Sequence, residues 1–142
     1  MNSIDKEGLA ARQQQVEKTR ARRPMFLDLR QIAMPVGALT SIGHRISGVV
    51  LALAVPAAVY FFALSLRDEK GFERWTAISG HLLFKAAAVI AIWALAHHLL
   101  GGLRHLLSDF DIGSPLRSAR KSAWFVNLAS VVVALLAAVA MW

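Results

Sequence analysis

Three long apolar runs constrain the fold of this chain more than any other feature of its sequence. Residues 46–66, 86–103 and 123–142 contain no Lys, Arg, Asp or Glu. Each run has about the 20 residues that an α-helix, rising about 1.5 Å per residue, needs to cross a hydrocarbon core about 30 Å thick. The hydrophobic share of 56% also exceeds that of a typical soluble domain. We therefore predict an all-α membrane protein with three transmembrane helices rather than an unusually apolar soluble bundle.

Prolines and charged segments mark the ends of these helices. The predicted spans cover about residues 36–66, 81–107 and 118–142. Pro35 suits the opening of the first helix, where its missing N–H costs least. Pro56 lies inside that helix and predicts a bend, and neighbouring helices can satisfy the carbonyl that it frees. The charged residues 1–22 lack the apolar centre of a signal peptide. We predict that they form a short N-terminal cytoplasmic arm before a membrane anchor over residues 23–142.

The net charge of +7 is distributed in a way that predicts orientation rather than nucleic-acid binding. Twelve Lys and Arg residues lie at the end of the predicted bundle that holds the N-terminus and the 104–122 loop, and three lie between the first two spans. Cytoplasmic loops of membrane proteins carry such an excess of basic residues. We predict a multi-pass protein of the bacterial inner membrane with a cytoplasmic N-terminus, which contacts the lipid bilayer and no nucleic acid.

His98 is the polar residue whose predicted depth most needs an explanation. The second helix re-enters the cytoplasm near Arg104 and His105, so His98 lies about 10 Å deeper at a rise of about 1.5 Å per residue. Ionisable side chains at such depth are costly and mark functional sites. Gly101 and Gly102, one turn away on the same face, would leave space for a flat group such as a haem edge. Spacing alone supports iron ligation by His98 and a packed polar histidine equally.

A polar stripe on the first predicted helix meets the same region. Its members are Ser41, His44, Arg45 and Gly48, and it is expected at the cytoplasmic membrane boundary. The Arg45 guanidinium stays protonated and would suit haem propionates, with help from His44 or His105. Ser41 and Arg45 could also donate hydrogen bonds to a quinone carbonyl. An arginine that only meets lipid phosphate explains the same residues equally well.

The positions of the histidines predict that a haem here would be shared between chains. At the depth of His98 the only other histidine expected is His97, which points about 100° away around the helix. His44 and His105 are expected too close to the surface to reach the opposite side of the same iron. A haem with two histidine ligands would therefore need its second ligand from another chain.

Two segments carry a resemblance to a known family. RPMFLDLRQIAMPVGALTSIGHRISGV and HHLLGGLRHLLSDF resemble the two signatures of the cytochrome b membrane-anchor subunit of succinate dehydrogenase. The resemblance covers about residues 23–142 and includes the three-helix layout. It implies a subunit of succinate:quinone oxidoreductase that works with a flavoprotein subunit, an iron–sulfur subunit and a second membrane-anchor subunit. The chain has no cysteine, which fits an anchor that carries no iron–sulfur cluster and no succinate-oxidising site.

The resemblance also implies roles for individual residues in binding a b haem. His98 matches the family's axial ligand to the haem iron, and the other ligand comes from the second anchor subunit. His44 and Arg45 match residues near the haem propionates. His105 and Asp109 match the end of the second signature, which implies a polar network beside the haem.

A quinone site is implied in the same way. Ser41 and Arg45 match positions that line the ubiquinone site, and Ile42 matches a residue that packs on the quinone ring. The substrate would be ubiquinone or menaquinone, and no residue of this chain is expected to catalyse succinate oxidation.

Three other functions compete with this interpretation. An anchor of a fumarate reductase shares the architecture, and an anchor could bind quinone without haem. A small transporter component would need ionisable residues along a path through the membrane. The polar candidates near mid-membrane are His97, His98 and Asn127, and the absence of a carboxylate there argues against a transporter.

Overall fold

The computed structural model describes residues 3–21, 34–113 and 115–142. Within these ranges the chain is helical apart from short links, and it forms five helices. They are α1 (Ser3–Ala21), α2 (Val36–Arg67), α3 (Glu69–Ser79), α4 (Leu82–Asp109) and α5 (Leu116–Met141). The all-α fold class predicted from the sequence is confirmed.

The chain divides into two units, Met1–Ala33 and Met34–Trp142. In the first unit, α1 is a polar helix whose described side chains are exposed, as its Lys, Arg, Glu and Gln content requires. The predicted boundary between residues 22 and 23, with the Arg-Pro pair that follows it, lies outside the described residues. The division into arm and anchor therefore stays a prediction.

Three helices of the second unit are long and apolar enough to cross a membrane: α2, α4 and α5, with 32, 28 and 26 residues. Their ends fall within two residues of the predicted spans. Pro35 precedes α2 in an extended conformation (φ −65°, ψ 147°), which is the predicted start of the first span. Pro56 lies inside α2, and the helix continues through it. The prediction of three spans is confirmed by length and composition.

Helix α4 packs against both α2 and α5, and α2 also contacts α5. Small residues occupy the contacts, since Ser47, Ala94, Ala123 and Ser130 have no exposed surface. Small side chains let helix backbones approach closely, and van der Waals contact between them drives association in lipid. Large apolar residues instead face outward, as with Leu83, which is 83% exposed. This arrangement suits a hydrocarbon environment.

The polar link between the first two spans contains a short helix, α3, which was not predicted because its sequence is charged. Asp68 caps α3, because its carboxylate accepts a hydrogen bond of 2.6 Å from the backbone N–H of Gly71. Trp75 of α3 packs on Phe61 of α2 and Phe84 of α4, with ring centroids 5.8 Å and 5.3 Å away. Helix α3 is thereby attached to the ends of two spans.

Candidate functional site

The histidine cluster, defined here as His44, His98 and His105, lies where α2 meets α4. The rings of His44 and His98 stack with centroids 4.1 Å apart and planes inclined by 8°. His105 meets the His44 ring edge-on at 5.4 Å. The structure thus brings together the three histidines that the sequence predicted for haem binding. They do not converge on one point, and no group of three or more His, Cys, Asp or Glu among the described residues is arranged to hold a metal ion.

Glycines on the facing helices make room for the imidazoles. A Cβ atom at Gly101 would lie 2.8 Å from Cδ2 of His44, and one at Gly48 would lie 3.2 Å from Cε1 of His98. The expectation that Gly101 and Gly102 open space for a flat group is therefore corrected, because the His44 ring lies against both of them.

The predicted difference in depth between His44 and His98 is also wrong. Their ring centroids are 4.1 Å apart, so their depths differ by no more than this distance instead of the expected 10 Å or so. The apolar runs give the length of each helix, but they do not fix how far one helix is shifted along its neighbour. Contacts of individual residues set that shift, and here they place His44 beside His98.

Hydrogen bonds hold the His98 ring in a defined orientation. Its Nδ1 lies 3.2 Å from the backbone oxygen of His44 and 3.3 Å from Oγ of Ser47. Because Ser47 Oγ itself donates to the His44 oxygen at 2.8 Å, both groups accept from His98, and the proton belongs on Nδ1. The lone pair of Nε2 is then available, and among the described residues no hydrogen bond reaches it. His98 is half-buried, so this nitrogen lies at the edge of the α2–α4 contact.

His44 carries a buried nitrogen without a partner. Its Nε2 is shielded and forms no hydrogen bond with any described residue. Leaving a buried polar atom unpaired costs about 1–3 kcal/mol. The atom lies in the α2–α4 contact, 3.6 Å from where a Cβ atom of Gly102 would be.

His97, next to His98 in sequence, has a different environment. It is only 3% exposed and its ring stacks on Trp93 with centroids 5.4 Å apart. Nδ1 lies 3.1 Å from Ser130 Oγ in α5, and Nε2 lies 3.4 Å from the backbone oxygen of Thr40 in α2. Both ring nitrogens have partners, so His97 is a packed polar residue that joins three helices.

Thr40 and Asn127 extend this buried polar contact. Thr40 Oγ1 lies 3.2 Å from Asn127 Oδ1 and 3.4 Å from the backbone oxygen of Ala123. We call Thr40, His97, Asn127 and Ser130 the three-helix polar contact. Thr40, Ser47 and Ser130 were not predicted from the sequence, although each is a hydroxyl residue in or beside an apolar run. Hydrogen bonding across helices is the usual reason for that pattern in membrane proteins.

The predicted quinone residues lie on the adjoining, more open side of α2. Ser41 is half-buried, Ile42 is 41% exposed and Arg45 is exposed. Among the described residues neither the Ser41 hydroxyl nor the Arg45 guanidinium forms a hydrogen bond. The structure places Ser41 and Arg45 on one face of α2, one turn apart, with Ile42 beside them. Asp109 ends α4 and is exposed.

Comparison with known proteins gives consistent matches. A sequence model of the succinate dehydrogenase/fumarate reductase transmembrane subunit family matches residues 19–137. The succinate dehydrogenase cytochrome b556 subunit of Coxiella burnetii is 34% identical over 126 residues, which is 86% of this chain and 98% of that protein. The subunit of the same name from Paracoccus denitrificans is 31% identical over 121 residues, 82% of this chain and 90% of that protein. That of Rickettsia bellii is 27% identical over 115 residues, covering 81% and 90%.

Proposed function

The chain belongs to the family of succinate dehydrogenase/fumarate reductase transmembrane subunits, and from that premise we propose that it anchors a succinate:quinone oxidoreductase and supplies one axial ligand to a b haem. One observation carries the proposal most directly. His98 Nδ1 donates to a backbone carbonyl and leaves the Nε2 lone pair unengaged by the described residues. Histidines that bind metals almost always donate their other ring N–H in this way, which fixes both tautomer and orientation.

The residues around His98 fit a haem. An imidazole nitrogen is a common axial ligand to haem iron, and a b haem bound there would carry single electrons. A turn of the His44 ring that exposed its unpaired, buried Nε2 would let this nitrogen bond a propionate. Arg45, always protonated, offers a charged partner to the same group. His105, edge-on to His44, would complete the polar surroundings.

The second haem ligand would come from outside this chain. Two histidines that held one iron would each have to direct a ring nitrogen towards it. His44 instead presents its ring face to the face of His98 at 4.1 Å, so the pair cannot enclose an iron between them. A second membrane-anchor subunit, packed on the open side of the α2–α4 contact, would provide the opposite ligand.

The quinone site is proposed on the same open side. The Ser41 hydroxyl and the Arg45 guanidinium would donate hydrogen bonds to a ubiquinone or menaquinone carbonyl and orient the ring, while Ile42 packs on its face. Arg45 polarises the carbonyl without giving up a proton, because its guanidinium is not deprotonated in proteins. Residues of partner subunits would close this pocket.

The partners and orientation follow from the same proposal. The iron–sulfur and flavoprotein subunits would dock at the end of the bundle that holds the 104–122 loop, and succinate would be oxidised in the flavoprotein. The excess of basic residues at this end supports a cytoplasmic location in the bacterial inner membrane. An anchor of a fumarate reductase-type complex has the same requirements and is the second candidate.

Affinity purification of the tagged chain from its own membrane tests the proposal. We expect a b-type haem absorption spectrum together with a flavoprotein, an iron–sulfur protein and a second small membrane protein. Purification of the chain without haem and without these partners would contradict it.

The quinone site is tested separately with Ser41→Ala. We expect quinone reduction to fall by about tenfold, as expected when a hydrogen bond of about 1.4 kcal/mol to the quinone is lost. Succinate oxidation with a soluble dye should continue unchanged, and Ser65→Ala, whose hydroxyl bonds only within α2, is the matched control. An equal loss of both activities would remove Ser41 from the quinone site.

A further inference from the structure

The contact between α4 and α5 contains polar bonds at three levels of the bundle. They join Lys85 to Met141, His97 to Ser130, and Arg104 to Ser122. All three fit one antiparallel register, because twelve and then seven residues forward on α4 match eleven and then eight residues back on α5. At a rise of about 1.5 Å per residue they extend over about 28 Å, nearly the thickness of a hydrocarbon core. A slip of α5 along α4 by one turn would break all of them.

Lys85 brings a charge into an apolar stretch at the start of α4. It is the fourth residue of this helix and is half-buried. A lysine at such a position can extend its stem to the lipid phosphates of the nearby interface. Its ammonium lies on α5 instead, 2.6 Å from the backbone oxygen of Met141 and 5.6 Å from the centroid of the Trp142 ring. The first distance is that of a hydrogen bond, and the second is within the range of a cation–π interaction.

The C-terminal end of α5 requires a partner of this kind. The last four C=O groups of an α-helix have no N–H partner within the helix, and the helix dipole makes that end negative. Basic side chains in the last turn commonly satisfy both, but the last turn of α5 contains none. An unsatisfied carbonyl is costly beside hydrocarbon, because no water reaches it there. Lys85 supplies from the neighbouring helix the cation that α5 lacks.

We propose that Lys85 is a positioning residue that fastens the end of α5 to α4 and so fixes the register of the two helices. Its ammonium satisfies a carbonyl of the last turn of α5 and offsets the negative end of that helix. Arg104 holds the opposite end, where its guanidinium donates to Ser122 Oγ at 3.1 Å and to the backbone oxygen of Ala119 at 3.4 Å. Cations of α4 thus hold α5 at both of its ends.

The fixed register also determines how α4 is turned about its axis. With both ends of α5 held, Ser130 stays opposite His97, and their bond of 3.1 Å directs the His97 side of α4 towards α5. His98 follows about 100° around the helix and therefore faces α2, where it bonds the His44 backbone oxygen. Helix α5 thereby orients the candidate ligand without lining its site. This consequence rests on the proposed function, whereas the fastening by Lys85 does not.

Hydrogen–deuterium exchange of the purified complex, measured by mass spectrometry, tests the proposal with Lys85→Met. Methionine keeps most of the apolar stem and removes the charge. We expect the backbone amides of residues 138–142 to exchange about tenfold faster, the factor for losing a hydrogen bond to a charged group. Residues 116–120, at the other end of α5, should exchange as before because Arg104 still holds them. The matched control is Lys70→Met, which removes an exposed lysine of α3 at the same end of the bundle.

Lys85→Arg restores a cation with N–H donors and should exchange like the unmodified protein. Exchange at residues 138–142 that is no faster in Lys85→Met than in Lys70→Met would overturn the proposal, as expected for a lysine that meets only lipid phosphate. Equal acceleration along the whole of α5 would also overturn it, as would Lys85→Arg exchanging as fast as Lys85→Met. If Lys85→Met does not assemble, Trp142→Leu tests the same contact from α5, and exchange no faster than in the control would again overturn the proposal. None of these readouts depends on haem or quinone, so the proposed function is tested independently.

Discussion

His97 and His98 are adjacent residues of α4, and the structure gives them different numbers of partners. His97 is almost fully buried among three helices, and both of its ring nitrogens have hydrogen-bond partners. His98 contacts α2 and is held through Nδ1, while no described residue bonds its Nε2. Depth in the membrane does not distinguish the two residues, because they differ by only one helix position. Completeness of hydrogen bonding does, and it assigns a structural role to His97 and leaves His98 as the candidate ligand.

His98→Ala should give the largest effect on this comparison. The variant loses the nitrogen proposed to bind iron, so we expect the purified complex to lose the b-type haem spectrum or to show it strongly shifted. The measurement is the ratio of haem to protein together with the absorption spectrum. A spectrum identical to that of the unmodified complex would assign the ligand elsewhere.

Gly101→Val tests the contact that supports the candidate ligand. A Cβ atom at position 101 would lie 2.8 Å from the His44 ring, so the larger side chain must displace that ring or push α2 away from α4. Overpacking of this kind costs about 1–3 kcal/mol. We expect a lower haem content and a lower midpoint of thermal denaturation of the complex.

Gly102→Ala is the matched control for that variant. Its Cβ would lie 3.6 Å from His44 Nε2, which is an ordinary contact, so haem content and stability should stay nearly unchanged. If both glycine variants lost haem and thermal stability to the same extent, the close packing of His44 on Gly101 would not explain the effect of Gly101→Val.

His97→Leu tests whether His97 has the structural role that its hydrogen bonds indicate. Leucine fills a similar volume but loses the bonds to Ser130 and to the Thr40 carbonyl. Hydrogen bonds between membrane helices contribute about 0.6 kcal/mol each on average, so we expect a loss of about 1 kcal/mol in stability with the haem spectrum retained. Loss of haem as complete as in His98→Ala would show that the two histidines are not functionally distinct.

The sequence predicted the helices more completely than it predicted their contacts. Apolar runs free of charge, with Pro35 at the start of α2, were sufficient for three spans because length and hydrophobicity alone decide whether a helix crosses the bilayer. Helix α3 was hidden in a polar link, since its formation depends on a capping carboxylate at Asp68 and on packing of Trp75. Neither feature produces an apolar run.

In the candidate site too, the sequence predicted the residues but not their contacts. The sequence indicated His44, His98 and His105, but it could not place the His44 ring on His98, because the relative shift of α2 and α4 depends on residues such as Gly101. It also left ligation and packing equally supported at His98. That question depends on hydrogen bonds to Ser47 and to a backbone oxygen on another helix, which are far away in sequence.

Apart from the Gly102→Ala control, Ser130→Ala should give the smallest effect, and it tests how the two hydrogen-bond partners of His97 contribute to stability. The variant removes one of the two hydrogen bonds of the His97 ring and should cost about 0.6 kcal/mol, with haem content unchanged. In the double variant with His97→Leu, the loss should equal that of His97→Leu alone, because the bond to Ser130 is already absent. Thermal denaturation of the unmodified complex, the two single variants and the double variant measures this double-mutant cycle. Additive losses would instead mean that Ser130 stabilises the bundle through its own bond to the Asn127 backbone oxygen, and that His97 is held mainly by Thr40.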